Sequence, residues 1–141
     1  MSEVDRKRAK TLPAGKKNEV EIVYDLCSVE VPKDVTKLVC LLSVTAITER
    51  AFEGCTKLEE VVLNVGLETI GPKAFFGCES LSSIIIPSTV AKIASGAFRR
   101  CKNLKEVVLN EGLQIIGEGA FAGCKLLKII KVPSLVTEIA Q

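Results

Sequence analysis

The sequence predicts a repeat solenoid, in which short coils of the chain stack on one another with their strands parallel. The main observation is that the word "GAFRRC" at 96–101 returns in variant form at 50, 73 and 119, always 23 residues apart. A fixed period in this range is the signature of repeat architectures. Composition agrees, because 48% hydrophobic and 26% charged residues suit one continuous core in a chain of 141 residues.

Apolar columns appear when the chain is aligned on this period. Within one repeat, Leu58, Val61 and Leu63 end in the alternation of a strand with one buried face. One short strand cannot bury its apolar face alone, so about five coils are expected to stack and to turn each column into a ladder of about 4.8 Å per step. The clearest columns are Phe52, Phe75, Phe98 and Phe121, and Cys55, Cys78, Cys101 and Cys124.

Three segments are predicted along the chain. Residues 1–17 hold six of the 19 basic residues and are interpreted as a basic, flexible leader. Residues 18–34 lack the Ala-Phe-x-x-Cys word and are interpreted as an N-terminal cap or degenerate repeat, since terminal repeats are atypical. The solenoid is expected over 35–141. The chain lacks a signal-peptide pattern and an apolar run of membrane-spanning length, so a cytoplasmic location is expected, or a cell-surface one if it belongs to a longer protein.

The words "IIIPSTVAKIASGAFRRCKNLKEVVL" (84–109) and "VVLNEGLQIIGEGAFAGCKLLKIIKVP" (107–133) resemble the BspA-like, treponemal-type leucine-rich repeat. The resemblance covers about 35–141. It implies a right-handed leucine-rich-repeat solenoid with a strand-lined face, of a kind often found in surface-exposed, adhesion-linked or partner-binding proteins. It brings no catalytic residues.

A period of 46 residues overlies the shorter one. Asn64 and Asn110 alternate with Pro87 and Pro133 at the end of the predicted strand. Proline lacks an N–H group, which suits a position where a ladder of hydrogen bonds is ending. The alternation is interpreted as turn chemistry.

Neither catalysis nor metal or cofactor binding is predicted. The chain has no histidine and no CxxC pair, so the usual zinc-ligand spacing is missing and a nucleophile would lack its common base. The periodic cysteines are interpreted as a reduced core ladder, because cysteine packs as a small, buried hydrophobe. Disulfides between adjacent coils remain an alternative on distance.

A stripe of outward-facing residues is the candidate binding site. Residues between the buried pair of each strand point to the opposite side. An apolar stripe rimmed by charge is typical of a protein-binding face, although β-branched residues also suit any exposed strand. The stripe consists of Val39, Val62, Ile85, Val108 and Lys131, and Glu60 and Glu106 flank it.

A secondary basic patch comprises Arg99, Arg100, Lys102 and Lys105, interpreted either as solvated surface or as a site for an acidic partner. Nucleic acid is not expected as a partner, because the core column uses the phenylalanines that stacking would require. The predicted function is a protein-interaction module without catalysis, and the alternative is a structural or adhesive spacer. The chain stops just before the next Ala-Phe would fall due, so self-association through an open C-terminal coil is also considered.

Overall fold

Strands are the regular elements of the fold. The computed structural model describes residues 10–12, 21–24, 31–130, 133 and 138–139, and these contain no helix. The strands are β1 (Lys10–Leu12), β2 (Glu21–Tyr24), β3 (Lys37–Cys40), β4 (Ala46–Ile47), β5 (Glu60–Val62), β6 (Thr69–Ile70), β7 (Ser83–Ile85), β8 (Lys92–Ile93), β9 (Glu106–Val108), β10 (Ile115–Ile116), β11 (Ile129–Ile130) and β12 (Glu138–Ile139).

Stacked coils join these strands into two parallel sets. The odd-numbered strands from β3 to β11 follow one another on what we call the strand face, and the even-numbered strands from β4 to β12 form a continuous five-stranded sheet. Paired residues are 23 positions apart, as in Lys37 with Glu60 and Thr69 with Lys92. The predicted coil stack with its 23-residue period is confirmed. Each coil also contributes a two-residue strand to the second sheet, which the sequence patterns did not indicate.

The N-terminal side of the stack departs from the period. Strand β2 pairs in parallel with β3, but Glu21 lies opposite Lys37, an offset shorter than one repeat. Strand β1 pairs antiparallel with β2, with Lys10 opposite Val23. Thus Lys10–Leu12, inside the predicted flexible leader, forms a strand that covers the edge of β2. The rest of 1–17 lies outside the described residues, as does most of 18–34.

A phenylalanine stack runs through the core. Phe52, Phe75 and Phe98 are fully buried, with ring centroids 5.3 and 5.2 Å apart, and Phe121 continues the stack at 5.4 Å while remaining partly exposed. Backbone hydrogen bonds keep this part of the coils in register, for example from Phe75 N to Ala97 O at 2.8 Å. The predicted phenylalanine column is a core ladder.

The cysteine column lies beside that stack, and its thiols are hydrogen-bonded. The Sγ of Cys78, Cys101 and Cys124 donates to the carbonyl oxygen of Phe52, Phe75 and Phe98, at 3.3, 3.2 and 3.1 Å. These cysteines are buried and are free thiols. Burial raises the pKa of Cys55 and Cys78 in this column, and it raises the pKa of Cys40, which lies outside the column, to about 12. The thiol hydrogen bonds tie each coil to the preceding one.

Candidate functional site

The predicted stripe lies on the strand face. In β5, β7 and β9 the first and third residues are exposed and the middle one is buried, as the period of two in a strand requires. Val62, Ile85 and Val108 are 43%, 65% and 38% exposed, and Val39 is half-buried beside them. The flanking Glu60 and Glu106 are exposed as well. Lys131 lies outside the described residues, so the stripe is seen from Val39 to Val108.

The strand face is interrupted once. Strands β1, β2, β3 and β5 form one sheet, and β7, β9 and β11 form another, so no strand pairing joins β5 to β7 within 31–130. At the next junction, Lys105 N donates to Ser82 O and Ile86 N donates to Val108 O, both at 2.8 Å. At the interrupted junction the corresponding donors, Ser82 N and Leu63 N, have no acceptor among the described residues. The face is therefore open between β5 and β7.

One residue at the end of each strand distinguishes the two junctions. Asn110 follows β9, and its Nδ2 donates to Ile86 O of the preceding coil. Pro87 occupies the same column after β7, and it has neither a side-chain donor nor a backbone N–H to offer to Leu63 O. The proline therefore removes one of the hydrogen bonds that hold a junction closed on this side.

The turn after the strand shows the same contrast. Gly112 is packed so closely that an added Cβ would lie 1.8 Å from Ser88 O. Thr89 stands in that column at the open junction, where its Oγ1 accepts from Gly66 N at 3.0 Å and donates to Leu67 O at 2.7 Å. The open junction has room for a whole threonine side chain where the closed one has no room for a methyl group.

The opening forms a cleft of about 420 Å³ on the strand face. Its walls are mostly apolar, and two carboxylates stand at its rim. The residues that matter here are Val62, Val65, Ile85 and Pro87 on the walls and Glu59 and Glu60 at the rim.

Elsewhere the same two coils are firmly joined. The Phe52 and Phe75 rings stack at 5.3 Å, nearly the spacing at the closed junction. Ser80 Oγ donates to Thr56 O at 2.6 Å, and β6 pairs with β8 in regular register. Since bonds flank the cleft on both sides, it is a local feature of the strand face and not a separation of the coils.

Exposed apolar residues extend the candidate site beyond the stripe. Leu42 is 79% exposed and Val65 is 67% exposed, and both occupy the turn that follows a strand. Leu42 and Val65 could not be identified from the period, because the later members of their column are the polar Ser88 and Glu111 and the column shows no apolar repeat. Their only signal is that large apolar side chains stand in a turn.

The predicted basic patch is also at the surface, where Arg99, Arg100, Lys102 and Lys105 are all exposed. Its charge is partly engaged, because Lys102 Nζ lies 3.0 Å from a carboxylate oxygen of Glu79. The guanidinium of Arg100 lies 5.7 Å from the centroid of the Phe76 ring. These contacts make the patch a weaker candidate than the cleft, whose apolar walls are free to contact a partner.

The described residues contain neither a metal-binding cluster nor a membrane-spanning helix. Among those residues, no group of three or more His, Cys, Asp or Glu side chains is placed to hold a metal ion. No helix there has the length and apolar character needed to cross a membrane.

The sequence profile of the BspA type leucine rich repeat region matches residues 27–141 in six copies. No curated protein is significantly similar to the chain.

Solved structures of leucine-rich repeat proteins share the fold. A T. pallidum leucine-rich repeat protein superposes with a TM-score of 0.72 at 24% identity, over 94% of this chain and 78% of that one. A protein from Bacteroides ovatus gives 0.69 at 30% identity, over 77% and 30%. A leucine-rich cell surface protein from Faecalibacterium prausnitzii gives 0.56 at 24% identity, over 95% and 43%, so this chain spans less than half the length of the last two. With the profile matched over most of its length, the chain belongs to the BspA-type leucine-rich repeat family.

Proposed function

We propose that the protein is a binding module that presents its strand face to a partner protein and performs no chemistry on it. The observation that carries this proposal is the exposed apolar stripe, in which Val62, Ile85 and Val108 stand side by side on a rigid stack. Contiguous exposed apolar surface with a polar rim is typical of interaction sites.

Rigidity supports the same proposal. The phenylalanine stack, the thiol hydrogen bonds and the second sheet fix the coils to one another behind the stripe. A surface that is already ordered loses little conformational freedom when a partner binds, so more of the contact energy remains as affinity. Membership of a repeat family whose members typically mediate protein interaction or surface adhesion agrees with this role.

The test replaces Val62, Ile85 and Val108 together by threonine, which is also β-branched and retains strand propensity. The fold should persist, as judged by circular dichroism and thermal unfolding. Binding should weaken, because truncating one central interface residue commonly costs about 1 to 2 kcal/mol. The immobilised parent and variant would be compared for the proteins each captures from an extract of the organism that encodes the chain, and for the affinity of each captured protein.

A matched control changes Arg99, Arg100 and Lys102 to glutamine. If these charges only steer association, they should alter its rate and salt dependence more than the lifetime of the complex. Unchanged capture and affinity with the threonine variant would refute the proposed binding face.

A spacer in a longer surface-located protein is the second candidate. Two observations favour it: the chain spans 43% of the Faecalibacterium protein, and that protein is described as a leucine-rich cell surface protein. A spacer needs rigid length but no binding stripe, so the threonine variant separates the two functions directly.

A further inference from the structure

The cleft between β5 and β7 is a more specific candidate binding site than the strand face as a whole, and the proposal made for it rests on the proposed function. We propose that this cleft binds an extended peptide segment of a partner, one that carries apolar side chains with lysine or arginine beside them. Three independent features of the cleft indicate this occupant.

Backbone groups at the cleft indicate an extended peptide. One repeat later, the equivalent amides of Lys105 and Ile86 donate to a neighbouring coil. Ser82 N and Leu63 N have no such acceptor among the described residues. Amide donors in a cleft can bond to the carbonyl oxygens of an extended peptide that lies along it, and such main-chain hydrogen bonds supply much of the affinity in peptide recognition.

The walls indicate apolar side chains. Val62, Val65, Ile85 and Pro87 surround a volume of about 420 Å³, within the range of about 300 to 1,000 Å³ that is usual for ligand sites. Side chains of a bound strand alternate in direction, so every second residue of the peptide can enter the cleft. Apart from the Ser83 hydroxyl, the side chains of the walls carry no hydroxyl or carboxamide donor that would favour a sugar.

The rim indicates the charge of the occupant. Glu59 and Glu60 both line the cleft, and no Lys or Arg does so among the described residues. Lys37 approaches Glu60 at 3.9 Å, a long contact between exposed groups that is worth little in water. Glu59 has no ion-pair partner within the described residues. The rim is therefore complementary to basic residues beside the apolar ones.

Rigidity distinguishes the cleft from a transient opening. Thr89 holds the turn on one side of it and Ser80 on the other, while the Phe52 and Phe75 rings stack beneath. A cleft held in this way exists before the peptide arrives.

The probe is a short fluorescent peptide of alternating valine and lysine, measured by fluorescence anisotropy against the whole chain. Two companion peptides carry glutamate in place of lysine, or serine in place of valine. We expect saturable binding of the valine-lysine peptide, weakening as salt rises, and binding at least about tenfold weaker for both companions. Absence of binding, or equal binding of the glutamate peptide, would overturn the proposal.

Two variants then locate the binding site. Pro87→Asn introduces the side chain that Asn110 uses to close the next junction, and it should weaken peptide binding about tenfold. Glu59→Gln with Glu60→Gln alters only exposed side chains, so folding should be unaffected, and the affinity should fall about threefold to tenfold at low salt. Peptide binding that both variants retain in full places the peptide elsewhere and ends the proposal.

A second copy of the chain is the rival occupant. We expect sedimentation velocity to show that the protein is monomeric. Self-association that Pro87→Asn abolishes would instead assign the cleft to a homodimer. Val108→Thr separates this proposal from the proposed function, because Val108 belongs to the stripe but does not line the cleft. It should reduce partner capture and leave peptide affinity unchanged.

Discussion

Two neighbouring junctions of the stack differ on the strand face although their cores are alike. Between β7 and β9, three residue pairs are in parallel register, from Ser83 with Glu106 to Ile85 with Val108. Between β5 and β7 there is no pairing, and a cleft takes its place. Behind the face, the phenylalanine rings stack at 5.2 and 5.3 Å at the two junctions.

The difference teaches that a solenoid can change its surface locally without disturbing its period. The repeated columns keep the coils at one spacing, while the side chains at the strand end and in the following turn differ from one junction to the next. Pro87 and Thr89 occupy the open junction, and Asn110 and Gly112 occupy the same columns at the closed one. Such variation gives one coil pair a distinct recognition surface within an otherwise regular array.

The largest expected effect is at the phenylalanine stack, which both junctions share. Phe52→Ala and Phe98→Ala should each lower the free energy of unfolding by about 3 to 5 kcal/mol, because both rings are fully buried and each leaves a cavity between coils. Phe121→Ala should cost less, since Phe121 is partly exposed. Urea unfolding would measure all three. A much smaller loss at Phe52 than at Phe98 would mean that the opening extends into the core.

Gly112→Ala should destabilise the closed junction by about 3 kcal/mol, because the new methyl group would collide with the backbone at Ser88 O. Thr89→Ala is the matched change at the open junction. The open junction already has space for a Cβ, so this substitution should cost only the hydrogen bonds of the Thr89 hydroxyl, about 1 kcal/mol. Thermal unfolding of both variants would decide the matter, and equal losses would show that the two junctions are equally tight.

The buried thiols should be alike at both junctions, because the cleft does not reach them. Cys78 and Cys101 should react slowly with a thiol reagent in the native protein and rapidly in denaturant. Fast native labelling of Cys78 alone would show that solvent enters the core through the cleft.

Burial of the thiols also predicts alkaline sensitivity. The pKa of Cys78 is raised in the folded state by desolvation, and that of an unfolded cysteine is about 8.5. The contribution of the neutral thiol to the free energy of unfolding is therefore fully present below about pH 8.5. It declines as pH rises above that value, by about 1.4 kcal/mol per pH unit for each such thiol. Urea unfolding at pH 8 and 10 would measure this slope, which should be shallower in Cys78→Ala.

The period and the core columns could be predicted from the sequence because each column repeats one residue type. The outward direction of Val62, Ile85 and Val108 followed from strand alternation, and the structure places them so. The second sheet could not be predicted, because strands of two residues, such as Thr69–Ile70, contain no alternation to detect.

The open junction could not be predicted either. Pro87 was visible, but Pro133 shares its column, and β11 still pairs with β9 through Ile129 and Ile130. A proline in this column therefore does not by itself prevent pairing, and whether a cleft opens depends on contacts between coils, such as those of Thr89. Those contacts join residues more than 20 positions apart, which local patterns do not encode.

Amide hydrogen exchange, resolved by residue with nuclear magnetic resonance, tests the open junction most directly. Leu63 and Ile86 occupy the same column, and Ile86 N donates to Val108 O while Leu63 N has no acceptor among the described residues. We predict that the Leu63 and Ser82 amides exchange at least about a thousandfold faster than those of Ile86 and Lys105. Protection of Leu63 and Ser82 equal to that of Ile86 and Lys105 would mean that β5 and β7 are paired, and would contradict the account.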